Sequence, residues 1–264
     1  MAHPWDGLHA RTVSAVRTAG MLLRARFRGE YAVREKAPHD PVTTADMEAN
    51  QSLRASLLEL LPDSGWLSEE TADSAHRLSA ARVWVVDPMD GTKSFLQGLP
   101  EFTVSVALVE QGVPVLGVVY NPLTEEMFTA VRRAGAFLNG RRLAVTSRQR
   151  LPGATLLASR SEYRGRRFQV FRQTCRIQPL GSIAYKMARV AAGMADGVVS
   201  LKPKSEWDLC AGTLLVEEAG GRVTDLEGVP LGFNRPDPGR MGVAATNGRI
   251  HGELLALSRG PARG

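Results

Sequence analysis

The chain has 264 residues, a length that suits one large domain or two closely packed halves. Apolar residues make up 44% and charged residues 23%, and no apolar run approaches the roughly 20 residues of a membrane span, which excludes the usual transmembrane class. The first six residues lack the features of a secretory signal, so the cytoplasm is the expected compartment.

The cysteines, histidines and basic residues further limit the class of function that the protein can have. Cys175 and Cys210 show no metal-ligand spacing and are interpreted as small buried hydrophobes, and five scattered histidines argue against histidine-based zinc chemistry. The net charge of +6 permits nucleic-acid binding but equally suits attraction of anionic metabolites. Because the basic residues are nearly all arginine, are spread along the chain without a dense run and do not alternate with aromatic residues, we expect a solvated basic surface and no nucleic-acid partner.

The first part of the chain contains two segments with apolar residues at helical spacing, and helices are predicted at residues 8–27 and 44–60. The middle of the chain favours strands, because short β-branched or aromatic runs are separated by Gly, Pro or Asn. Gln111-Gly112 and Asn139-Gly140 are typical of hairpin turns. The predicted strands are 83–86, 103–109, 115–120, 127–131 and 136–138.

In the later part of the chain, predicted helices alternate with predicted strands. The helices are at 182–192 and 207–219, and the strands are at 197–201, 222–224 and 242–245. A strand-rich half followed by an alternating half predicts a layered α+β protein. A weak boundary near residues 147–152 suggests an N-terminal α+β half, 1–148, that carries most of the candidate metal ligands. A C-terminal α/β half, 149–264, would then supply Asp208 and residues that contact the substrate.

The densest chemical signal is the run DPMDGT at residues 87–92, which follows a predicted buried strand. Pro88 fixes the backbone, so the chain must turn there. The turn can point Asp87 and Asp90 into the same space and leave the Met89 carbonyl free as a hard oxygen ligand. Oxygen ligands of this kind favour Mg²⁺.

The end of the same run could seat a phosphate, because Gly91 and Thr92 present backbone N–H groups where a helix could begin. Carboxylates and a bound phosphate repel one another, so metal ions must lie between the carboxylates and the phosphate. The alternative is a solvated turn, which Asp, Pro and Gly also favour.

Three further acidic residues stand near predicted element ends, and each also has a purely structural explanation. Glu69 lies in an acidic pair that could be an exposed helix start, and Asp208 could be a helix-start charge. Asp46 follows Thr43 with capping-box spacing. Taken together with the DPMDGT run, they indicate a metal-dependent site.

With these residues in view, the chain resembles the inositol monophosphatase superfamily of lithium-sensitive magnesium phosphatases. The resemblance covers nearly the whole chain, and the matching segments run in the family's order. It implies a layered α/β/α/β/α sandwich of the inositol monophosphatase and fructose-1,6-bisphosphatase type, and a homodimer. The matching segments are residues 40–46, 68–70, 87–92, Trp207-Asp208 and 218–221.

The resemblance also implies roles for individual residues, with two or three Mg²⁺ ions in each active site. Glu69, Asp87 and the Met89 carbonyl would hold one ion, and Glu69 would also help a third, looser one. Asp87, Asp90 and Asp208 would hold the second ion.

A metal-activated water would attack phosphorus directly, and the catalytic residues would be Glu69, Thr92 and Asp46. The expected substrate contacts, from the resemblance and from the lysines considered next, are Asp90, Gly91, Thr92, Gly181, Ser182, Lys202 and Lys204.

The substrate is a small phosphorylated metabolite whose identity the sequence leaves open. Inositol-hydrolysing relatives carry a Glu that contacts inositol hydroxyls, and Ser200 stands nearest that position here. Lys202 and Lys204 follow it, in a chain with only five lysines, and would suit a second phosphate. The runs Asp90–Lys93 and Glu101–Val104 also resemble the bisphosphate-nucleotidase branch of the family. We therefore expect a 3′(2′),5′-bisphosphate nucleotidase that converts 3′-phosphoadenosine 5′-phosphate to AMP and phosphate.

Two alternatives stay open. The first is an inositol-1-monophosphatase or another sugar or polyol phosphatase, including one for histidinol phosphate. The second is a non-enzymatic protein that binds RNA in transcription complexes, although a purely binding protein has no reason to keep four clustered acids.

Overall fold

The computed structural model describes residues 5–38 and 40–259. Its first part contains a long helix, an exposed hairpin and a second helix. These elements are α1 (Asp6–Arg26), β1 (Val33–Ala37), β2 (Asp40–Thr43) and α2 (Thr44–Leu60).

Seven strands then form the larger sheet, and their order in space follows their order in the chain. The first two strands are parallel and the remaining neighbours are antiparallel. A 3₁₀ helix spans Ala75–Ser79, and the other elements are β3 (Gly65–Ser68), β4 (Arg82–Asp90), α3 (Thr92–Leu96), β5 (Thr103–Glu110), β6 (Val113–Asn121), β7 (Glu126–Val131), β8 (Gly135–Leu138) and β9 (Arg141–Arg142).

The remaining elements build a five-stranded sheet of order β11-β10-β12-β14-β13 with helices on both faces. A 3₁₀ helix spans Arg166–Phe168. The elements are β10 (Thr155–Ala158), α4 (Arg160–Tyr163), α5 (Gln169–Thr174), β11 (Arg176–Pro179), α6 (Ile183–Ala191), β12 (Gly197–Ser205), α7 (Glu206–Glu218), β13 (Arg222–Thr224), β14 (Gly239–Thr246) and α8 (His251–Arg259).

Side-chain alternation along the strands produces three apolar cores. On β4, Trp84 and Val86 pack with α1 and α2, while Val83 and Val85 pack with α6 and α7 on the other face. Strands β12 and β14 complete the second core, and Phe171 and Leu254 cover the outer face of the smaller sheet. The layers therefore stack helix, sheet, helix, sheet, helix, which confirms the predicted sandwich.

Most predicted elements are confirmed within a few residues, and both hairpin turns are present. Gln111 and Asn139 adopt positive φ angles of 49° and 48°, each followed by a glycine with positive φ. Cys175 and Cys210 are buried, as predicted. The hairpin β1–β2 and the elements β3, β9, β10, α4, α5, β11 and α8 were not predicted. The division at residue 148 stays a prediction.

In the described part of the chain, no helix is long and apolar enough to cross a bilayer.

The topology brings four element ends together around one cavity of about 620 Å³. The cavity is lined by the end of β4 and by the starts of α3, α6 and α7.

Candidate active site

Three of the four predicted carboxylate ligands lie together in this cavity. Asp87, Asp90 and Asp208 each place a carboxylate oxygen within 4.8 Å of the others. Asp87 and Asp90 are buried, and Asp208 is half-buried. Burial raises the pKa of all three carboxyl groups, that of Asp208 to about 7, and their mutual repulsion raises it further in Asp87 and Asp208.

The end of β4 sets the two aspartates of the DPMDGT run. The pairing of β4 with β5 is irregular between Asp87 and Asp90, so the strand bulges there instead of alternating. The Met89 N–H donates a 2.9 Å hydrogen bond to Oδ1 of Asp87, which folds the turn around that carboxylate. The bulge therefore brings two acids of one strand to the same side.

Asp208 is both a helix cap and a member of the cluster. It is the third residue of α7, and its Oδ2 accepts a 2.7 Å hydrogen bond from the Ser205 N–H in a capping box. Asp208 can therefore cap the helix and also face the site, because the capping hydrogen bond uses only one of its two carboxylate oxygens.

Glu69 lines the same cavity but lies outside the three-carboxylate cluster. Its Oε1 is 2.7 Å from the Lys36 ammonium, which also bonds Glu70 at 2.7 Å. Burial lowers the pKa of Lys36, but the two glutamates outweigh it and raise that pKa overall. Lys36 on the exposed strand β1 thus stabilises the ionised forms of Glu69 and Glu70, which burial alone would disfavour.

The predicted pair of Thr92 and Asp46 is in hydrogen-bond contact. The Thr92 hydroxyl lies 3.1 Å from Oδ1 of Asp46 and 3.2 Å from the Met89 carbonyl oxygen. Asp46 Oδ2 accepts from both the backbone N–H and the hydroxyl of Thr43, which forms the capping box of α2. Burial raises the pKa of Asp46 although these hydrogen bonds oppose the rise.

Two glycines permit the backbone just before α3 and the backbone just before α6 to lie close to Glu101. Gly91 has φ 108°, and a Cβ there would lie 2.7 Å from the Glu101 carbonyl oxygen. A Cβ on Gly181 would also lie 2.7 Å from that oxygen. Glu101 additionally accepts a 2.7 Å hydrogen bond from the Gly181 N–H and forms a two-point ion pair with Arg160.

The two lysines predicted to contact substrate occupy different surroundings. Lys204 is half-buried and lines the cavity, whereas exposed Lys202 does not line it and donates to Ser161 Oγ at 3.0 Å. Ser200 is buried, and its hydroxyl donates to Glu162 Oε1 at 2.9 Å. Ser200 therefore does not replace a polyol-binding side chain at the cavity wall.

Several charged residues of the cavity wall were not predicted as site residues from the sequence. Glu162, Arg160 and Arg164 line the cavity from α4 and its end, and Lys186 lines it from α6. The spacing of Ser159 and Glu162 is that of a capping box, which could have located α4. Six arginines fall between residues 160 and 176, so the prediction that the basic residues form no dense run is wrong for this segment.

The donor set fits Mg²⁺. The cavity wall offers carboxylate oxygens of Asp87, Asp90 and Asp208 and contains Met89, while Cys and His are missing from its described lining. Hard divalent cations take such all-oxygen sets. The raised pKa values of the three carboxyl groups also indicate a cation site, because buried like charges repel one another unless a cation lies between them.

The chain is similar to known proteins in sequence and in structure. The sequence pattern of the inositol monophosphatase family matches residues 6–260. An inositol-1-monophosphatase of Rhizobium meliloti is 41% identical over 82% of this chain and 84% of its own length. The Nus factor SuhB of Escherichia coli K12 is 34% identical over 94% of both chains. The crystal structure of the extragenic suppressor protein suhB of Bartonella henselae superimposes with a TM-score of 0.86, at 33% identity over 97% of this chain and 99% of that one.

Fold, carboxylate cluster and relatives together define a magnesium-dependent phosphatase. The chain belongs to the inositol monophosphatase family.

Proposed function

We propose that this protein hydrolyses inositol monophosphate or a closely similar polyol phosphate. The identity of 41% with an inositol-1-monophosphatase, over 84% of that enzyme, carries the proposal. The name of this relative favours inositol monophosphate over the bisphosphate nucleotide expected from the sequence.

The chain's own residues would divide the work as follows. Asp87, Asp90 and Asp208, with the Met89 carbonyl and Glu69, would hold Mg²⁺, which supplies Lewis-acid chemistry and neutralises the carboxylates. The backbone at Gly91 and Thr92 would seat the phosphate.

The Thr92 hydroxyl would take the proton from the attacking water. A hydroxyl has one hydrogen and two lone pairs. When the Thr92 hydroxyl donates its hydrogen to Asp46, its oxygen therefore still has lone pairs that can accept a proton. Asp46, whose burial raises its pKa, is placed to receive that proton in turn.

A 3′(2′),5′-bisphosphate nucleotidase is a second candidate, favoured by one observation. Lys204 lines the cavity, whereas Ser200, which stands nearest to the glutamate of the inositol-hydrolysing pattern, is buried and bonds Glu162. A second phosphate would suit that cation better than a hydroxyl would.

A binding role in a transcription complex is a third candidate, because a relative is named a Nus factor and residues 160–176 carry six arginines. RNA binding that weakens with salt and survives Asp87→Asn would support it. The homodimer and the cytoplasmic location stay predictions.

The test of the main proposal is phosphate release with Mg²⁺ from inositol 1-phosphate and from 3′-phosphoadenosine 5′-phosphate, measured side by side as kcat/KM. A preference for inositol 1-phosphate supports the proposal. A large preference for the nucleotide overturns it in favour of the second candidate, and no turnover of either would favour the binding role.

A further inference from the structure

The first turn of α7 supplies the one carboxylate of the three-carboxylate cluster that does not come from β4. Asp87 and Asp90 lie at the end of β4, whereas Asp208 is the third residue of α7. Their oxygen atoms lie within 4.8 Å of one another because the start of α7 is held in a defined place relative to β4. The contacts that fix the start of α7 therefore bear on the metal site.

Glu206 holds the start of α7 to the loop between β13 and β14. It is the first residue of the helix and is fully buried. Its Oε2 accepts a 2.6 Å hydrogen bond from the Asn234 N–H, and its Oε1 accepts a 3.0 Å bond from the Arg235 N–H. The Glu206 N–H donates to the Pro238 carbonyl oxygen at 3.0 Å. These three bonds fix the first residue of α7 on the loop.

Arg77 joins the same loop to the N-terminal part of the chain. It lies in the 3₁₀ helix Ala75–Ser79, and only 2% of the residue is exposed. Its guanidinium forms a two-point ion pair with Asp73 at 2.7 and 2.8 Å. It also donates to Oδ1 of Asn234 at 2.7 Å and to the Arg235 carbonyl oxygen at 2.9 Å. One buried guanidinium thus ties together segments that are 157 positions apart in the sequence.

The 3₁₀ helix that carries Arg77 is in turn packed on β3. A Cβ on Gly65, the first residue of β3, would lie 2.9 Å from the Arg77 Cα, so only glycine permits this approach. Strand β3 pairs with β4 up to Ser68 and Val86, and Val86 is followed by Asp87. The series of contacts therefore runs from the strand of Asp87 to the helix of Asp208.

Asn234 is the link between Arg77 and Glu206. Its side chain accepts from the Arg77 guanidinium and donates to the Arg77 carbonyl oxygen at 3.3 Å, while its backbone N–H bonds Glu206. Its φ of 57° is in the left-handed region, which asparagine tolerates better than most residues. The backbone N–H is thereby aimed at the start of α7 while the side chain faces Arg77.

We infer that Arg77, Asn234 and Glu206 are positioning residues that set the place of Asp208 in the magnesium site. The inference rests on the proposed function, in which Asp208 holds Mg²⁺. None of the three residues lines the cavity, so they act through Asp208 and touch neither metal nor substrate. A ligand that is already held in place needs less ordering when the ion binds, and it therefore binds the ion more tightly.

The sign of the effect of Arg77→Met separates positioning from charge. Removal of a positive charge tightens cation binding if Coulomb attraction alone matters. If Arg77 positions Asp208, the same change weakens binding, and we expect the Kd for Mg²⁺ to rise about tenfold. Calorimetric titration of the protein with MgCl₂ measures the Kd without substrate or turnover. An unchanged or lower Kd would overturn the inference.

A double-mutant cycle tests whether Arg77 acts through Asp208. Asp208→Asn alone should raise the Kd, and adding Arg77→Met to it should raise the Kd no further, because the positioned ligand is already lost. Independent, multiplying effects would contradict the inference. If Asp208→Asn leaves the Kd unchanged, the metal assignment of the proposed function has failed, and this inference fails with it. If Asp208→Asn weakens binding and Arg77→Met does not, only the positioning role is refuted.

Arg132→Met is the matched control, because it makes the same substitution at the other end of the same helix. Arg132 forms a 2.9 Å ion pair with Glu217 in the last turn of α7. We expect this variant to keep the Kd of the natural chain. A rise equal to that of Arg77→Met would show that any lost contact to α7 weakens the site, and it would overturn the specific role of Arg77.

Asn234 variants carry the test if Arg77→Met does not fold. Asn234→Gly keeps the left-handed backbone and removes the side-chain bonds to Arg77, so the Kd should rise in the same direction. Asn234→Asp keeps an oxygen that accepts from the Arg77 guanidinium and should restore tight binding. Equal Kd values for the glycine and aspartate variants would overturn the inference.

Discussion

The Ser182 hydroxyl donates a 2.6 Å hydrogen bond to Oδ2 of Asp90 across 92 positions of sequence. Ser182 is the N-cap of α6, where it also accepts from the Tyr185 N–H at 2.9 Å, and it has φ 51°. The bond ties the start of a C-terminal helix to a carboxylate of the DPMDGT run. Oxygen ligands that are oriented in this way hold a metal ion more tightly.

Ser182→Ala should therefore weaken Mg²⁺ binding. We expect the Mg²⁺ concentration for half-maximal activity to rise about tenfold, with a loss of about 1 kcal/mol of stability from the missing cap. Ser182→Gly is the control, because it relieves the positive φ and lacks the hydroxyl. Recovery of Mg²⁺ affinity in the glycine variant would show that the backbone, and not the hydrogen bond, is responsible.

Thr92→Val removes the hydroxyl that contacts Asp46 and keeps the shape of the side chain. We expect kcat to fall about 100-fold with little change in KM, because a positioned proton acceptor is lost. Thr92→Ser keeps a hydroxyl and should retain most of the activity. A valine variant with the kcat of the unmodified protein would remove Thr92 from the proposed mechanism.

His251 predicts a pH dependence of stability that is separate from the active site. Its ring nitrogens lie 2.9 Å from the hydroxyls of Thr224 and Thr246, and burial lowers its pKa to about 4. Between about pH 4 and about pH 6.5 the unfolded chain binds a proton that the folded protein excludes. This contribution to stability is complete above the unfolded pKa and is lost as the pH falls through that range.

The comparison of the natural chain with His251→Gln isolates this effect from other titrating groups. The free energy of unfolding of the natural chain should fall more steeply on acidification, by up to about 3 kcal/mol in total. Denaturant unfolding at several pH values measures both slopes. Parallel pH profiles for the two proteins would contradict the assignment.

The larger elements could be predicted because their patterns are local. Strands β4 and β5 are apolar on both faces and bounded by turn residues, and Gln111-Gly112 and Asn139-Gly140 have the composition that positive φ angles require. The hairpin β1–β2 was missed because all five residues of Val33–Ala37 are exposed, so no alternation marks the strand. Strands β10 and β11 are four residues each, too short for a clear period.

The carboxylates of the site could be predicted because they are concentrated at element ends in a recognisable order. Lys186 was not predicted as a site residue, since it lies within the buried run Ile183–Ala188, where periodicity indicates only core. Glu162 reaches the cavity through contacts with Ser200 and Leu201 that are about 40 residues away, and no local pattern encodes that pairing.

We infer that a magnesium site built on Asp87 performs phosphate ester hydrolysis. The most direct test is phosphate release from inositol 1-phosphate by the natural chain and by Asp87→Asn, at saturating Mg²⁺ and after chelation. We predict Mg²⁺-dependent release by the natural chain and a rate at least about 100-fold lower in the variant. The variant should stay folded, since burial raises the pKa of Asp87 and its charge disfavours the fold without a cation. A folded Asp87→Asn protein with a near-native rate would contradict the account.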